Sequence, residues 1–76
     1  MRILLADDNV RNSQALAEFL QKNHFGTDTV YTGTEIIEYA SSEIYDALVI
    51  ESALPKMSGL EVVKILRAKK NFVPFL

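Results

Sequence analysis

The chain contains no cysteine, which excludes a disulfide framework and fits a reducing cytosol. Without a cysteine there is no thiol nucleophile, and no serine stands in a nucleophile elbow with histidine support, so hydrolase and protease chemistry finds no pattern here. Long apolar runs are missing too. The first, Ile3-Leu4-Leu5-Ala6, is interrupted by Asp7-Asp8, too early for the apolar stretch of a secretory signal, and no later run could span a bilayer. A soluble, cytoplasmic chain without membrane association is expected. A strong charge of either sign is also lacking. The formal net charge is -2, which gives no general attraction to phosphate backbones, so this segment is not expected to bind nucleic acid. Repeats, low-complexity tracts and interdomain linkers are absent as well. At 76 residues the chain can form one small domain, and domains of this size bury only ~60% of the surface their unfolded chains expose. Stability is therefore marginal, and every covered face of the fold counts.

What is present is an alternation of two periodicities. Ile3 to Ala6 is apolar throughout, as expected for a central strand covered on both faces. From Asn9 to Asn23, Ala15, Leu16, Phe19 and Leu20 recur at helical spacing and predict a helix with that face inward. Gly26 closes the connection, and Thr27 to Tyr31 alternates polar with semi-polar residues, which suits an edge strand. Thr32-Gly33-Thr34-Glu35 matches a capping box that opens a helix through about Ser41. Ala47 to Ile50 repeats the buried-strand pattern. Ser58-Gly59-Leu60-Glu61 is a second capping box, and the helix after it carries Leu60, Val62, Val63, Ile65 and Leu66 on its apolar face. Its end collects Lys64, Arg67, Lys69 and Lys70, which complement the negative end of the helix dipole. Phe72 to Leu76 reads as the start of a fourth strand, with Pro74 at its entrance because proline cannot donate to a ladder.

Strict strand-helix alternation implies a parallel sheet with right-handed crossovers. In such sheets ligands bind beyond the carboxyl ends of the strands. Asp7 and Asp8 close the first strand and Glu51 closes the third, so these carboxylates are expected to share a pocket. Closely spaced carboxylates cannot all ionise cheaply, so without a cation one should hold its proton or turn outward. Magnesium, which takes oxygen ligands and keeps several waters, suits them. A simpler role for Asp7 or Asp8 is to cap the first helix. Glu51 can likewise be read as a solvated strand-end acid. Pro55, Ser58 and Gly59 shape the following loop and helix start, with Ser58 as N-cap. Lys56 is read as a solvated loop lysine, and His24 as a helix-end residue facing the dipole.

Asp7-Asp8 after an apolar strand, an acid at the end of the third strand, Leu54-Pro55 just beyond it and Gly59-Leu60-Glu61 opening the next helix together resemble the receiver domain of bacterial two-component response regulators. The resemblance implies a flavodoxin-like (CheY-like) α/β fold with strand order 2-1-3-4, in which residues 1–76 form the N-terminal portion of one receiver domain and the last helix-strand-helix portion is missing. It implies that the metal meets Asp8 directly, Asp7 through water, Glu51, and the backbone carbonyl of Ala53. It also places Glu51 where the family has a phosphoacceptor aspartate, while the family's conserved hydroxyl and lysine would lie beyond Leu76.

The extra methylene of Glu51 moves its carboxylate outward by on the order of 1 Å. Phosphoryl transfer depends on positioning, so weak or absent phosphorylation is expected. The leading expectation is a signalling module and not an enzyme, acting through protein contacts, and through an output domain if one follows, such as that of a transcriptional regulator. Two alternatives stand beside it. One is an active phosphoacceptor that takes a phosphoryl group from a sensor histidine kinase with magnesium. The other is an engineered or truncated receiver fragment without signalling activity. A flavin-binding protein on the same fold is disfavoured, because a nucleotide phosphate wants backbone donors after the first strand and Asp7-Asp8 would repel it. An unpaired fourth strand and an uncovered sheet face would be surfaces for self-association.

Overall fold

The computed structural model describes residues 1–51, 54 and 57–75. Six elements alternate: β1 (Arg2–Ala6), α1 (Val10–Lys22), β2 (Gly26–Val30), α2 (Gly33–Ala40), β3 (Ala47–Ile50) and α3 (Gly59–Ala68). The strands form one sheet in the order β2-β1-β3. Both pairings are parallel: Arg2 to Ala6 lie opposite Gly26 to Val30, and Ile3 to Ala6 lie opposite Ala47 to Ile50. The expected central strand is central, and the expected edge strand is an edge. Among the described residues no helix is long and apolar enough to cross a membrane.

Side chains alternate across each strand, so β1 presents Leu4 and Ala6 to one face and Ile3 and Leu5 to the other. Leu4 and Ala6 join Val30, Ile36, Ala40, Leu48, Leu54, Val62 and Leu66 in a single core beneath α2 and α3. Each fully buried leucine or isoleucine there contributes roughly 2 kcal/mol relative to exposure. Gly33 allows α2 to start close to α3, since a Cβ on it would meet the Met57 side chain at 3.0 Å and Val62 at 3.1 Å. Ile3 and Leu5 are buried on the opposite face, where α1 packs over β1 and β2. The same face of β3, Ala47 and Val49, stays half-exposed.

The inward face of α1 differs from the expected one. Ser13 is buried and Ala17 and Leu20 are half-buried, whereas Ala15, Leu16 and Phe19 are exposed, Phe19 by 60%. Ser13 can occupy the centre because it is small and its hydroxyl donates to the Val10 carbonyl at 2.9 Å. In α3, Val62, Val63 and Leu66 are buried as expected, while Leu60 is 62% exposed. It lies in the first turn, beyond the edge of the core.

The expected fourth strand shows its beginning. Phe75 forms an isolated parallel bridge with Leu48, and the Leu48 N–H donates to the Pro74 carbonyl at 2.8 Å. Proline serves here with the group it still has, its carbonyl. Three residues that follow helices, His24, Glu43 and Lys70, adopt positive φ of 68°, 59° and 61°, a left-handed conformation that glycine usually supplies.

Candidate functional site

The carboxyl ends of β1 and β3 lie side by side because Ala6 is paired with Ile50. The ladder continues one step beyond the strands. Glu51 donates its N–H to the Ala6 carbonyl at 2.8 Å, and Asp7 donates to Val30 at 3.3 Å. The two acids therefore leave the sheet on neighbouring strands at the same pole. Asp7 is half-buried, whereas Asp8 and Glu51 are exposed.

Three helix N-termini gather at this pole, each held by an N-cap side chain. Asn9 accepts from the Asn12 N–H at 3.1 Å and caps α1, while the Asn9 N–H donates to Asp7 Oδ1 at 2.9 Å. Neither Asp7 nor Asp8 is the N-cap, so the simpler role weighed for them falls to Asn9. Thr32 accepts from the Glu35 N–H at 3.2 Å, and Glu35 reaches back to the Tyr31 N–H at 3.1 Å, completing the expected box one residue further back. Ser58 accepts from the Glu61 N–H at 3.2 Å, and Gly59 is buried at the first position of α3. Leu54, which lies between Glu51 and Ser58 in the sequence, is buried in the core. Ala53, Pro55 and Lys56 lie outside the described residues.

The donors are all oxygens, which is the chemistry magnesium prefers, and magnesium commonly takes one or two carboxylates with water completing its shell. Among the described residues no group of three or more His, Cys, Asp or Glu side chains is arranged to hold a metal ion.

The opposite pole carries different machinery. Asp28 on β2 accepts from Arg2 Nε at 3.1 Å, Arg2 Nη2 at 2.8 Å and the Tyr45 hydroxyl at 2.7 Å. The Tyr45 hydroxyl, and then Arg2, hold the Asp28 carboxyl below its ordinary value against the opposing effect of burial. Burial first, and the Asp28 carboxylate second, push the Tyr45 hydroxyl up to about 12. A half-open cleft of about 200 Å³ lies at this end, lined by Ala40, Glu43, Tyr45, Asn71, Phe72 and Val73. It is remote from the acids.

The sequence model of the response regulator receiver domain matches residues 3–76. The chain belongs to the response regulator receiver domain family. Its fold is the CheY-like receiver fold, and receiver domains are phosphorelay modules of two-component signalling. The chain is 38% identical to the transcriptional regulatory protein TctD of Salmonella typhimurium across all 76 residues, which are 34% of that protein. It superposes on the Francisella response regulator 1452 receiver domain with a TM-score of 0.92 at 27% identity, over 97% of this chain and 61% of that one. The receiver protein TrrA, solved in complex with the histidine kinase ThkA, gives 0.88 at 34% identity, over 97% of this chain and 64% of the matched chain. This receiver chain thus spans about a third of the curated relative.

Reading the sequence missed Asn9 as the cap, although an Asn directly before a helical pattern is a recognised start signal. It also missed the Arg2–Asp28–Tyr45 cluster, for which spacing carried no sign. These residues are 26 and 17 positions apart and meet only through sheet register.

Proposed function

We propose that this receiver works as an altered-acceptor signalling module, with Glu51 at the position where the family accepts its phosphoryl group, and acts through protein contacts without turnover. The observation that carries this reading is the adjacency of Asp7 and Glu51 at the ends of paired β1 and β3, fixed by the Glu51 to Ala6 hydrogen bond. Magnesium would be held weakly by Asp8, by Asp7 through water, by Glu51 and by the Ala53 carbonyl. It would supply positive charge to offset the crowded carboxylates. The longer Glu51 side chain puts its own charge outward, toward the space a phosphoryl group would take, so the site imitates the modified state instead of acquiring it. The kinase complex of TrrA supports a sensor histidine kinase as the partner class. The likeness to TctD supports an output domain that regulates transcription, in a cytoplasmic protein.

Incubation with magnesium and a small acyl phosphate, followed by intact-mass analysis, tests it. The chain should stay unmodified. A stoichiometric phosphoryl adduct mapped to Glu51 would make it an active phosphoacceptor and sink the altered-acceptor reading.

A further inference from the structure

We propose that Gly33 is a positioning residue for the acid site: it seats Met57 and Val62, the two side chains that set how the segment after Glu51 enters α3. The proposal rests on the reading of Asp7, Asp8 and Glu51 as one magnesium site, and names what holds the segment that follows its third acid.

Ser58 is the N-cap of α3, so Met57 stands one residue before the cap and Val62 at the fourth helical position. Apolar side chains at these two positions form a hydrophobic staple, which fixes the angle at which a chain enters its helix. Val62 is fully buried, and Met57 packs against the same core. Both reach Gly33, the first residue of α2. A Cβ there would lie 3.0 Å from Met57 Cβ, and 3.1 Å from both Met57 Sδ and Val62 Cγ2. The φ of Gly33 is not positive, so glycine stands there for space and not for a left-handed turn.

The atoms at this contact decide which side yields when it is crowded. Val62, at 0% exposure, has no room to retreat in a close-packed core. The Met57 sulfur can swing aside on its flexible chain, but Met57 Cβ moves only with its own backbone. A methyl group on Gly33 therefore pushes Met57 and the chain before it. That chain is short. Glu51 is tied to β1 through its N–H to the Ala6 carbonyl, Leu54 is buried in the core, and Met57 follows Leu54 by three residues. Displacing Met57 is then felt at Leu54 and Glu51, and with them at Ala53, whose carbonyl is read as a magnesium ligand. In this way the start of α2, a helix that supplies none of the acids, sets the geometry of the acid site.

The test compares the unaltered chain with Gly33→Ala, Met57→Ala, Met57→Leu and Ala40→Gly by amide-resolved NMR, first without metal and then in a magnesium titration. Ala40→Gly loosens the far end of α2 and controls for a simple loss of stability, which is measured for every variant by urea titration. Without metal, Gly33→Ala and Met57→Ala should move the Leu54 and Glu51 resonances. Met57→Leu, which keeps a similar apolar volume, should leave them near their original positions, as should Ala40→Gly. With magnesium, the Kd read from Asp7 and Asp8 should rise roughly 10-fold in the first two variants and stay unchanged in the other two. Leu54 and Glu51 resonances that do not move in Gly33→Ala would overturn the proposal. So would an unchanged magnesium Kd in that variant, or an Ala40→Gly chain that reproduces its effects at equal stability. An unaltered chain with no saturable magnesium shifts would remove the metal reading alone, and the metal-free comparison would then decide the positioning role.

Discussion

Tyr45 donates its hydroxyl to Asp28 Oδ2 at 2.7 Å, joining the loop before β3 to the edge strand β2 across the width of the sheet. Tyr45 is buried and Asp28 half-buried, so water competes only partly for this bond. A hydrogen bond to a charged group in such a place is worth about 1–2 kcal/mol. Tyr45→Phe should lower the urea midpoint accordingly. Arg2→Ala should cost less, roughly 0.5 kcal/mol, because the Arg2–Asp28 ion pair lies near the surface, with side-chain exposures of 44% and 32%, where such pairs contribute little. Equal losses in the two variants would contradict this order.

The same pair sets a pH window. Asp28 titrates below its ordinary value of 3.8 in the folded chain, so its contribution is present above that value and is lost as pH falls through the depressed one. Tyr45 is raised from 10.0 to about 12, so its contribution is complete below 10 and is lost as pH rises toward 12. Stability measured by denaturant titration should fall at both extremes. Asp28→Asn should flatten the acid limb, and should bring the Tyr45 absorbance titration down toward the ordinary tyrosine value.

Lys70 and His24 have positive φ directly after helices, where a side chain strains the backbone and glycine does not. Lys70→Gly and His24→Gly should each stabilise the chain by about 1 kcal/mol. For a domain of this size that raises the thermal midpoint by roughly 4–8 °C. A lowered midpoint would show that these side chains hold contacts that outweigh the strain.

Asn9→Ala removes the cap of α1 and should cost about 1 kcal/mol. Because the Asn9 N–H also holds Asp7 Oδ1, the loosened turn should weaken magnesium-induced shifts at Asp7 and Asp8 in an amide-resolved NMR titration. Unchanged magnesium shifts alongside a lower stability would separate the cap from the acid site.

Leu66→Ala should cost about 2–5 kcal/mol by opening a cavity in the core, enough to unfold much of so small a domain. Phe19→Ser should change stability by no more than about 0.5 kcal/mol, since Phe19 is exposed. Comparable losses would mean that α1 packs on the face its spacing suggested.

Where element boundaries were legible, the signal was local. Thr32 and Ser58 each stand three residues before a glutamate, and both cap a helix in the structure. The run Ala47 to Ile50 forms β3 with the expected limits. The placing of the acids was half legible. Asp7 and Glu51 were marked by following apolar runs, and their shared pole follows from parallel topology. Which side chain caps α1 was not legible, because Asp7, Asp8 and Asn9 are all capping residue types and only the backbone path chooses among them.

The sequence by itself determined the order of elements, the parallel sheet and the strand ends that carry acids, because these depend on periodicity and on short-range capping chemistry that acts within a few residues. The tertiary structure decided which face of α1 is inward, because that depends on what else covers the sheet. A small serine that satisfies its own hydroxyl could sit where a phenylalanine was expected. Packing also decided that Asp28 meets Tyr45 and Arg2, and that Arg67 reaches the segment beside β3. These contacts join residues whose sequence separation carries no information until the strands are in register.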